Sequence, residues 1–332
     1  MSQNIRRREF ITLLGGAVAT WPLAARAQQT AMPVVSYLHY LTPQQNTHVD
    51  AAFRAGLSEV GYVAGQNIAI QYRWGEGRAE RLPSLADELV RIPVKVLVTS
   101  GGSVAAQAAS AATSTIPIVF MMGDVDPVKA GLVASLSRPG GNTTGMSLMG
   151  GMRGVKRVEI LREIVPNAAA IAVLINPKNR NAEPDTNEVG AAVRAAGQKL
   201  IVLRASTAAE FDDAFASLVA EKANALIVTA DGIFTDARGQ LAALAVRYRV
   251  PAIYQWRELV RSGGLISYGA SLADASRQLG VYAGRILKGT KPGDLPVMQP
   301  TKFDLVINLR AAKAIGLEVP ATLLARADEV IE

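Results

Sequence analysis

The chain has 332 residues, 49% of them apolar and 19% charged, which suits two globular domains with sizeable cores. It contains no cysteine and two histidines, which excludes disulfides, thiolate catalysis, Cys-ligated zinc, an N-terminal lipidated cysteine and a three-histidine metal site. The net charge of +7 does not indicate nucleic-acid binding, because residues 1–27 carry four arginines and one glutamate and the remainder carries only +4.

The first predicted element is a cleavable export signal over residues 1–27. Arg6-Arg7-Arg8-Glu9-Phe10 precedes an apolar run from Ile11 to Ala25, and Ala25-Arg26-Ala27 provides a small-residue cleavage site. The twin arginine with Phe two places on favours the Tat route over the Sec route. A membrane anchor is the alternative, but the apolar run is shorter than the ~20 residues that a spanning helix needs. We expect cleavage near Ala27 and a soluble periplasmic protein.

Short apolar runs and helical stretches alternate from residue 34 onward. The runs are rich in Val and Ile without polar alternation, which is typical of strands buried on both faces. The helices show three- and four-residue apolar spacing, as in Leu82, Leu85 and Leu89. This order predicts an α/β fold with parallel sheets. The first unit comprises strands Val34–Leu38, Ile68–Tyr72, Val94–Val98 and Ile116–Met121, and helices His48–Val60, Arg81–Arg91, Val104–Thr113 and Val128–Ser137.

A turn-rich stretch, Arg138–Gly145, ends the first unit, and a similar second unit follows. Its predicted strands are Ala170–Ile175, Lys199–Leu203, Ala225–Thr229 and Pro251–Tyr254, and its helices are Met152–Ile164, Glu183–Ala196, Ala208–Lys222 and Asp236–Tyr248. The tail belongs to neither repeat: it comprises strand Gly264–Tyr268, helix Ala273–Lys288, a Pro/Gly-rich stretch, strand Phe303–Asn308 and helix Leu309–Ile315. If the tail crosses back, several strands join the units around a hinged cleft.

Polar residues follow most predicted strands, where ligands of open parallel sheets bind. Ser100–Ser103 opens a helix whose free amides could hold a carboxylate or phosphate, or else Ser103 is an ordinary N-cap. Asp124, Asp126 and Asp231 could accept hydrogen bonds from a ligand ammonium; the alternative is capping, since Asp126-Pro127 fits a helix start and Asp231-Gly232 fits a turn. Aromatic residues at strand ends could stack on a flat ligand or simply pack, Phe234 and Trp256 among them. The selected ligand-binding candidates are Tyr40, Ser100, Gly102, Ser103, Gly123, Asp124, Asn176, Asp231, Tyr254 and Tyr268.

The sequence contains no specific catalytic motif. His39 could act as a base for Ser100 or Ser103 only if both strand ends meet, and a Gly-x-Ser-x-Gly elbow is absent from the sequence. Asp124 and Asp231 could form a glycosidase pair, but we expect them in different lobes. We therefore predict a binding protein without enzymatic activity, metal or cofactor. A periplasmic ligand sensor and, less favoured, a hydrolase are the alternatives.

Several motifs together carry a family resemblance. They are Arg6–Ile11 with Trp21–Gln28, Gly56–Tyr62 with Gly65–Ile68, Asp124–Val128, Ser135–Gly145, Ile175–Pro177, Gly264–Gly269 and Asn308–Leu317. Across the mature chain they resemble the ABC transporter substrate-binding protein family that includes tryptophan- and phenylalanine-binding members of the type I periplasmic binding protein fold. The resemblance implies two Rossmann-like lobes with parallel sheets joined by a three-strand hinge, and a cleft that closes on a ligand. Lobe 1 would span 32–148 plus about 270–300, and lobe 2 would span 149–269 plus about 301–332.

The resemblance also implies a function and a set of contacts. The chain would be a monomer that binds a small molecule, an amino acid or aromatic carboxylate being favoured, for an ABC permease in the inner membrane. In aromatic-amino-acid-binding relatives, the loop and helix start that match Ser100–Ser103 hold the ligand carboxylate, and acidic or Asn residues of other loops hold the amine. Carried over, this nominates Ser103, Asp124, Asn176 and Asp231.

Overall fold

The computed structural model describes residues 32–149 and 153–332, which form two α/β lobes. The predicted export signal over residues 1–27 and the predicted helix start at Met152 lie outside the described residues. Within the described ranges, no helix combines the length and apolarity that would let it cross a membrane.

Lobe 1 is built on a parallel sheet with the order β2-β1-β3-β4-β5. Four of these strands are almost wholly buried, because helices cover both faces, and three of the four have the Val/Ile-containing apolar runs that such burial favours. The strands are Val34–His39 (β1), Ala69–Trp74 (β2), Val96–Ser100 (β3), Ile118–Met122 (β4) and Thr143–Ser147 (β5). The helices between them are Thr47–Glu59 (α1), Leu82–Arg91 (α2) and Ser103–Ala112 (α3).

Lobe 2 contains a larger sheet with the order β12-β11-β10-β9-β8-β6-β7. Its strands are Ala170–Ile175 (β6), Lys199–Arg204 (β7), Ala225–Val228 (β8), Ala252–Tyr254 (β9), Ile266–Gly269 (β10), Asp304–Asn308 (β11) and Glu329–Ile331 (β12). Its helices are Arg153–Ile164 (α4), Ala182–Ala195 (α5), Phe211–Ala220 (α6), Gly232–Asp236 (α7), Arg238–Arg247 (α8), Arg257–Arg261 (α9), Leu309–Ile315 (α11) and Ala321–Leu324 (α12). Helix α10 (Leu272–Leu287) instead packs on α1 and on strands β3, β4 and β5 of lobe 1.

Three connections between the lobes follow from the order of the described elements. The first leads from β5 to α4, the second from β10 to α10, and the third from Met298 to β11. Met298 is still paired with Met146 at the edge of the lobe 1 sheet, so the third crossing lies between residues 298 and 304. Two of the connections thus belong to the tail that fits neither repeat.

Two sequence predictions are wrong in lobe 1. Residues 128–137 form turns rather than a helix, because Gly131 adopts a positive φ of 73° in the middle of the segment. Thr143–Ser147, part of which lies in the predicted turn-rich stretch, is strand β5. It carries a glycine for a steric reason: a Cβ on Gly145 would lie 2.1 Å from the carbonyl oxygen of Phe120 on the neighbouring strand.

Lobe 2 also departs from the prediction at its far edge. Strand β11 pairs antiparallel with β10, so the sheet is parallel except at this pair. The short elements α7, α9, α12 and β12 were not predicted. Each spans only three to five residues, too few for an apolar period to be recognised.

Helices α1 and α10 pack backbone against backbone through two glycines. A Cβ on Gly56 would lie 1.8 Å from the Arg277 carbonyl oxygen, and a Cβ on Gly280 would lie 2.1 Å from the Phe53 carbonyl oxygen. Such contacts cannot be relieved by turning a side chain, because each obstacle is helical backbone. The Ser276 hydroxyl donates to the Val49 carbonyl at 2.7 Å in the same interface. This packing fixes the first helix after the second crossing on lobe 1.

We predict that Gly280→Ala destabilises the protein by at least about 1–3 kcal/mol, because the added methyl group overpacks a backbone contact. Gly239→Ala is the matched control: Gly239 lies in α8 with nothing within 4 Å of its Cβ position, so alanine there should be neutral or stabilising by about 0.5–1 kcal/mol. Urea unfolding of both variants measures the difference. Equal stability of the two would contradict the proposed packing.

Candidate functional site

The carboxyl ends of strands from both lobes meet around an inner cavity of about 520 Å³, its open mouth included. The residues after β1, β3 and β4 line it from lobe 1, and those after β8 and β9 line it from lobe 2. Its lining residues are His39, Leu41, Asn46, Val49, Gly101, Gly102, Met121, Met122, Gly123, Asp124, Leu148, Ala230, Asp231, Gly232, Thr235, Trp256 and Leu272. A cavity at the strand tips is the location expected for ligands of open α/β sheets.

A wider outer cavity adjoins the inner one, and the two share four lining residues. These are Gly101, Asp124, Asp231 and Gly232, which we call the neck. The inner cavity has largely apolar walls and contains no lysine or arginine among its lining residues. The outer cavity is polar, with Arg78, Lys178 and Arg180 on its walls. A bound molecule would therefore meet an apolar interior, an acidic neck and a charged exterior in that order.

Asp124 follows β4, and its carboxylate lies against the first turn of helix α3. Gly101 and Gly102 turn the chain sharply after β3 with φ of 91° and 117°, which favour glycine. The Ser103 amide donates to the Asp124 carboxylate at 2.9 Å, and the Ser103 hydroxyl donates to Asp124 Oδ2 at 2.7 Å. A carboxylate is stabilised there by the positive end of the helix. The anion at this helix start is therefore a side chain of the protein itself.

Asp231 holds the corresponding position on lobe 2. It caps α7 by accepting the Ile233 amide at 2.9 Å, and it accepts the amides of Asn176 at 3.1 Å and Asn179 at 2.9 Å. Burial raises the pKa of both Asp124 and Asp231, and the charge of Asp124 contributes to the raised pKa of Asp231. In the described part of the chain, no lysine, arginine or histidine forms an ion pair with either carboxylate.

The structure brings seven of the ten predicted ligand residues to the two cavities. Gly102 and Gly123 line the inner cavity, Tyr40, Ser103 and Asn176 line the outer one, and Asp124 and Asp231 line both. The Tyr40 hydroxyl donates to the Gly77 carbonyl at 2.6 Å, which fixes its ring across the cleft from Gly232.

The other three candidates lie elsewhere, and we leave them out of the site. Ser100 is fully buried and accepts a hydrogen bond from the Tyr37 hydroxyl. Tyr254 points into the core of lobe 2, where a Cβ on Gly264 would lie 2.6 Å from its ring. Tyr268 stacks on Phe303 at a centroid distance of 5.9 Å. Each falls at the end of a strand, but the pleat directs its side chain away from the cleft.

Trp256 lines the inner cavity although it was not among the selected residues. It lies two residues after the end of β9, and its ring lies 3.0 Å from the Cβ position of Gly123 on the opposite lobe. The rest of the apolar wall was also missed, since residues such as Val49, Leu148 and Leu272 come from helices and connections. Nothing in their local sequence separates them from ordinary core positions.

The hydrolase geometry does not form. The His39 ring is buried, its Nδ1 accepts the Leu41 amide at 3.0 Å, and burial lowers its pKa to about 3. The hydroxyl of Ser100 accepts from Tyr37, and that of Ser103 donates to Asp124. Neither serine is therefore hydrogen-bonded to His39. Within the described ranges, no group of three His, Asp or Glu side chains is placed to hold a metal ion.

Comparison with known proteins agrees with this arrangement of lobes and cleft. The family model described as "ABC transporter substrate binding protein" matches residues 44–331. The chain belongs to this family. A curated relative of this substrate-binding protein is the tyrosine-binding protein of Clostridioides difficile (strain R20291), 29% identical over 266 residues, covering 80% of this chain and 76% of the relative.

Solved structures show the same fold. A conserved domain protein from Vibrio cholerae superposes with a TM-score of 0.82 at 30% identity, covering 90% of this chain and 99% of the other. An ABC domain from Streptococcus pneumoniae in complex with L-Trp also gives a TM-score of 0.82, at 24% identity and the same coverage. The type I periplasmic binding protein architecture expected from the resemblance is thereby confirmed.

Contacts across the cleft hold the lobes of this substrate-binding protein together. Gln45 on lobe 1 donates to the Asp236 carbonyl on lobe 2 at 3.0 Å, and His48 on α1 is 2.8 Å from Glu258 on α9. Gly232 lies against the Tyr40 ring, where a Cβ would come within 2.8 Å. The two lobes are therefore in direct contact around the neck.

We predict that Gly232→Ala weakens ligand binding by about tenfold or more, because the methyl group would meet the Tyr40 ring and oppose closure. Gly239→Ala, only seven residues on and exposed, is the control and should bind like wild type. Isothermal titration with any ligand that binds wild type measures both. Unchanged affinity in Gly232→Ala would show that this contact does not limit closure.

We also predict that Asp124→Asn stabilises the ligand-free protein at neutral pH. The folded-state pKa of Asp124 is raised, so its ionised form destabilises the fold above that pKa, and the penalty disappears as the pH falls and the group is protonated. The difference in unfolding free energy between the variant and wild type should therefore shrink from about pH 7 to about pH 4. A difference that grows on acidification would contradict the raised pKa.

Proposed function

We propose that this protein is the exported, periplasmic solute-binding component of an ABC uptake transporter, and that it captures an amino acid with an aromatic or large apolar side chain. The observation that carries the proposal is the single path from an apolar inner cavity, through an acidic neck, to a polar outer cavity between two lobes. The tyrosine-binding relative supports the same ligand class.

The inner cavity suits the ligand's side chain. Met121, Met122, Leu148 and Leu272 supply flexible apolar walls, and the Trp256 ring offers a flat surface. Burial of an aromatic ring against these groups contributes free energy through the area removed from water and through ring packing. Methionine side chains adjust to rings of different shape, which fits a site for more than one aromatic ligand.

The neck suits the amino group. An α-ammonium between Asp124 and Asp231 would form charge-assisted hydrogen bonds with carboxylates that already point to this place. The ligand carboxylate would then face the outer cavity, towards Lys178 and Arg180. A free aromatic carboxylate, the other ligand class expected from the sequence, lacks the positive group that the neck requires.

The proposed function also requires export to the periplasm and recognition by a permease in the inner membrane. The twin-arginine segment over residues 1–27 would direct a folded monomer to the periplasm, with cleavage near Ala27. Closure around the ligand would shift the population towards the form that an inner-membrane permease recognises.

A thermal-denaturation screen of the purified protein against the common amino acids tests the ligand class. Aromatic amino acids should raise the melting temperature by several degrees, because a ligand that binds only the native state stabilises it by about 2.7 kcal/mol at 100 times its dissociation constant. Acidic and basic amino acids should produce little change. No shift with any amino acid would refute the proposed ligand class.

A pair of tryptophan variants shows where binding occurs. Trp256→Ala should abolish most of the ligand-induced shift, because it removes the flat wall of the inner cavity. Trp74→Ala is the control: Trp74 stacks on Tyr72 and His39 in the lobe 1 sheet and lines neither cavity. A ligand shift that survives Trp256→Ala would place the site elsewhere.

A further inference from the structure

We propose that the positive charge of the ligand controls closure, and that the ligand carboxylate is dispensable because Asp124 already occupies the anion position at the start of α3. The inference rests on the proposed function and narrows it. The class of ligand becomes an apolar or aromatic primary amine, of which amino acids are one case.

Ser103 at the start of helix α3 has no free donor for a ligand carboxylate. An amide and a hydroxyl at the first turn of a helix would otherwise be ready to hold a ligand carboxylate. Both are bonded to Asp124 here, through the Ser103 amide at 2.9 Å and the Ser103 hydroxyl at 2.7 Å. A ligand carboxylate at this point would have to displace Asp124 or lie against its negative charge. Neither arrangement is favourable in a partly buried cavity.

The two carboxylates of the neck lack a balancing positive charge among their described partners. Asp124 and Asp231 come from opposite lobes and meet at the neck, yet their described partners are hydroxyls and amides, without a basic side chain. Hydrogen bonds from dipoles hold the carboxylates in position but leave the net charge in place. Bringing two such groups together on closure is opposed by their repulsion. A cation between them turns the repulsion into attraction, whereas a neutral or anionic ligand does not.

The inner cavity beyond the neck offers no positively charged side chain to a ligand carboxylate. Its lining residues beyond the neck include no lysine or arginine that could bind a carboxylate in the interior. The basic side chains lie in the outer cavity, where Arg78 is already paired with Glu76. A carboxylate directed outward would remain close to water, so its contribution to affinity should be small.

Matched ligand sets test this inference. Each set shares one ring system: phenylalanine, phenethylamine and hydrocinnamate, or tryptophan, tryptamine and indolepropionate. Calorimetry on the purified wild-type protein should show the amino acid and the amine of at least one set binding within about tenfold of each other, and the deaminated acid failing to bind.

The neck variant provides the sharper comparison. Asp124→Asn should weaken the amine by about tenfold or more, and it should allow the deaminated acid to bind, because the start of α3 no longer carries a negative charge. Asp126→Asn is the control, since Asp126 is in the same lobe but accepts the Val128 amide in an exposed turn outside both cavities. Asp126→Asn should keep the wild-type preference.

The outcomes separate the two proposals. Binding of the amino acid without the amine would overturn the inference and leave the proposed function intact. Binding of the deaminated acid alone to wild type, or of no member of either set, would overturn the proposed ligand class and the inference with it. An unchanged ligand preference in Asp124→Asn would also overturn the role assigned to Asp124.

Discussion

Two sheets that face each other at their strand tips bury polar groups from both lobes, and each group must find a partner in the protein or in the ligand. The two carboxylates at this edge accept hydrogen bonds within the chain, from Ser103 to Asp124 and from Asn176 to Asp231. What these bonds cannot supply is a positive charge. The two carboxylates therefore have hydrogen bonds within the protein but no balancing positive charge, and this deficit defines the partner that we propose for the cleft.

The same cleft depends on close contacts that only glycine allows. Gly123 permits the Trp256 ring of one lobe to reach the opposite lobe, and Gly232 permits α7 to approach Tyr40. Behind them, the glycine contacts between α1 and α10 anchor the returning chain on lobe 1. Closure can then be a movement of two stiff bodies about three short connections, because the elements next to each connection are fixed by packing.

Much of this architecture could be predicted from the sequence because its strands are buried on both faces. Unalternated runs such as Ala170–Ile175 are read without difficulty, and their order determines a parallel sheet. Strand β5 was not predicted, because Gly145 and its neighbours are residue types that favour turns. The glycine is required there because the backbone of the adjacent strand leaves no room for a Cβ. The antiparallel pairing of β11 was missed because it depends on where the chain re-enters the sheet, which no local pattern records.

The residues of the site also fall into those that could be predicted from the sequence and those that could not. Residues directly after strands, such as Asp124, Asn176 and Asp231, could be found because topology alone brings those loops to one edge. The direction of a side chain at that edge could not be predicted. Tyr254 was selected although it lies in the core, whereas Trp256, two residues on, was not selected although it lines the cavity. The apolar wall could not be found either, because Val49 and Leu272 become neighbours only after the chain has crossed between lobes.

The carboxylates at the far edge of lobe 2 are balanced differently from those at the neck. At the far edge of lobe 2, Asp304 is paired with both Arg257 and Lys302, and Glu329 is paired with Arg261. There each of these carboxylates is balanced by a basic side chain of the protein itself. At the neck, the balancing charge is left to the ligand, so the free energy of closure depends on whether a cation is present. A ligand can shift a conformational equilibrium only by as much as it prefers one state, and two facing carboxylates give a cation a strong preference for the closed one.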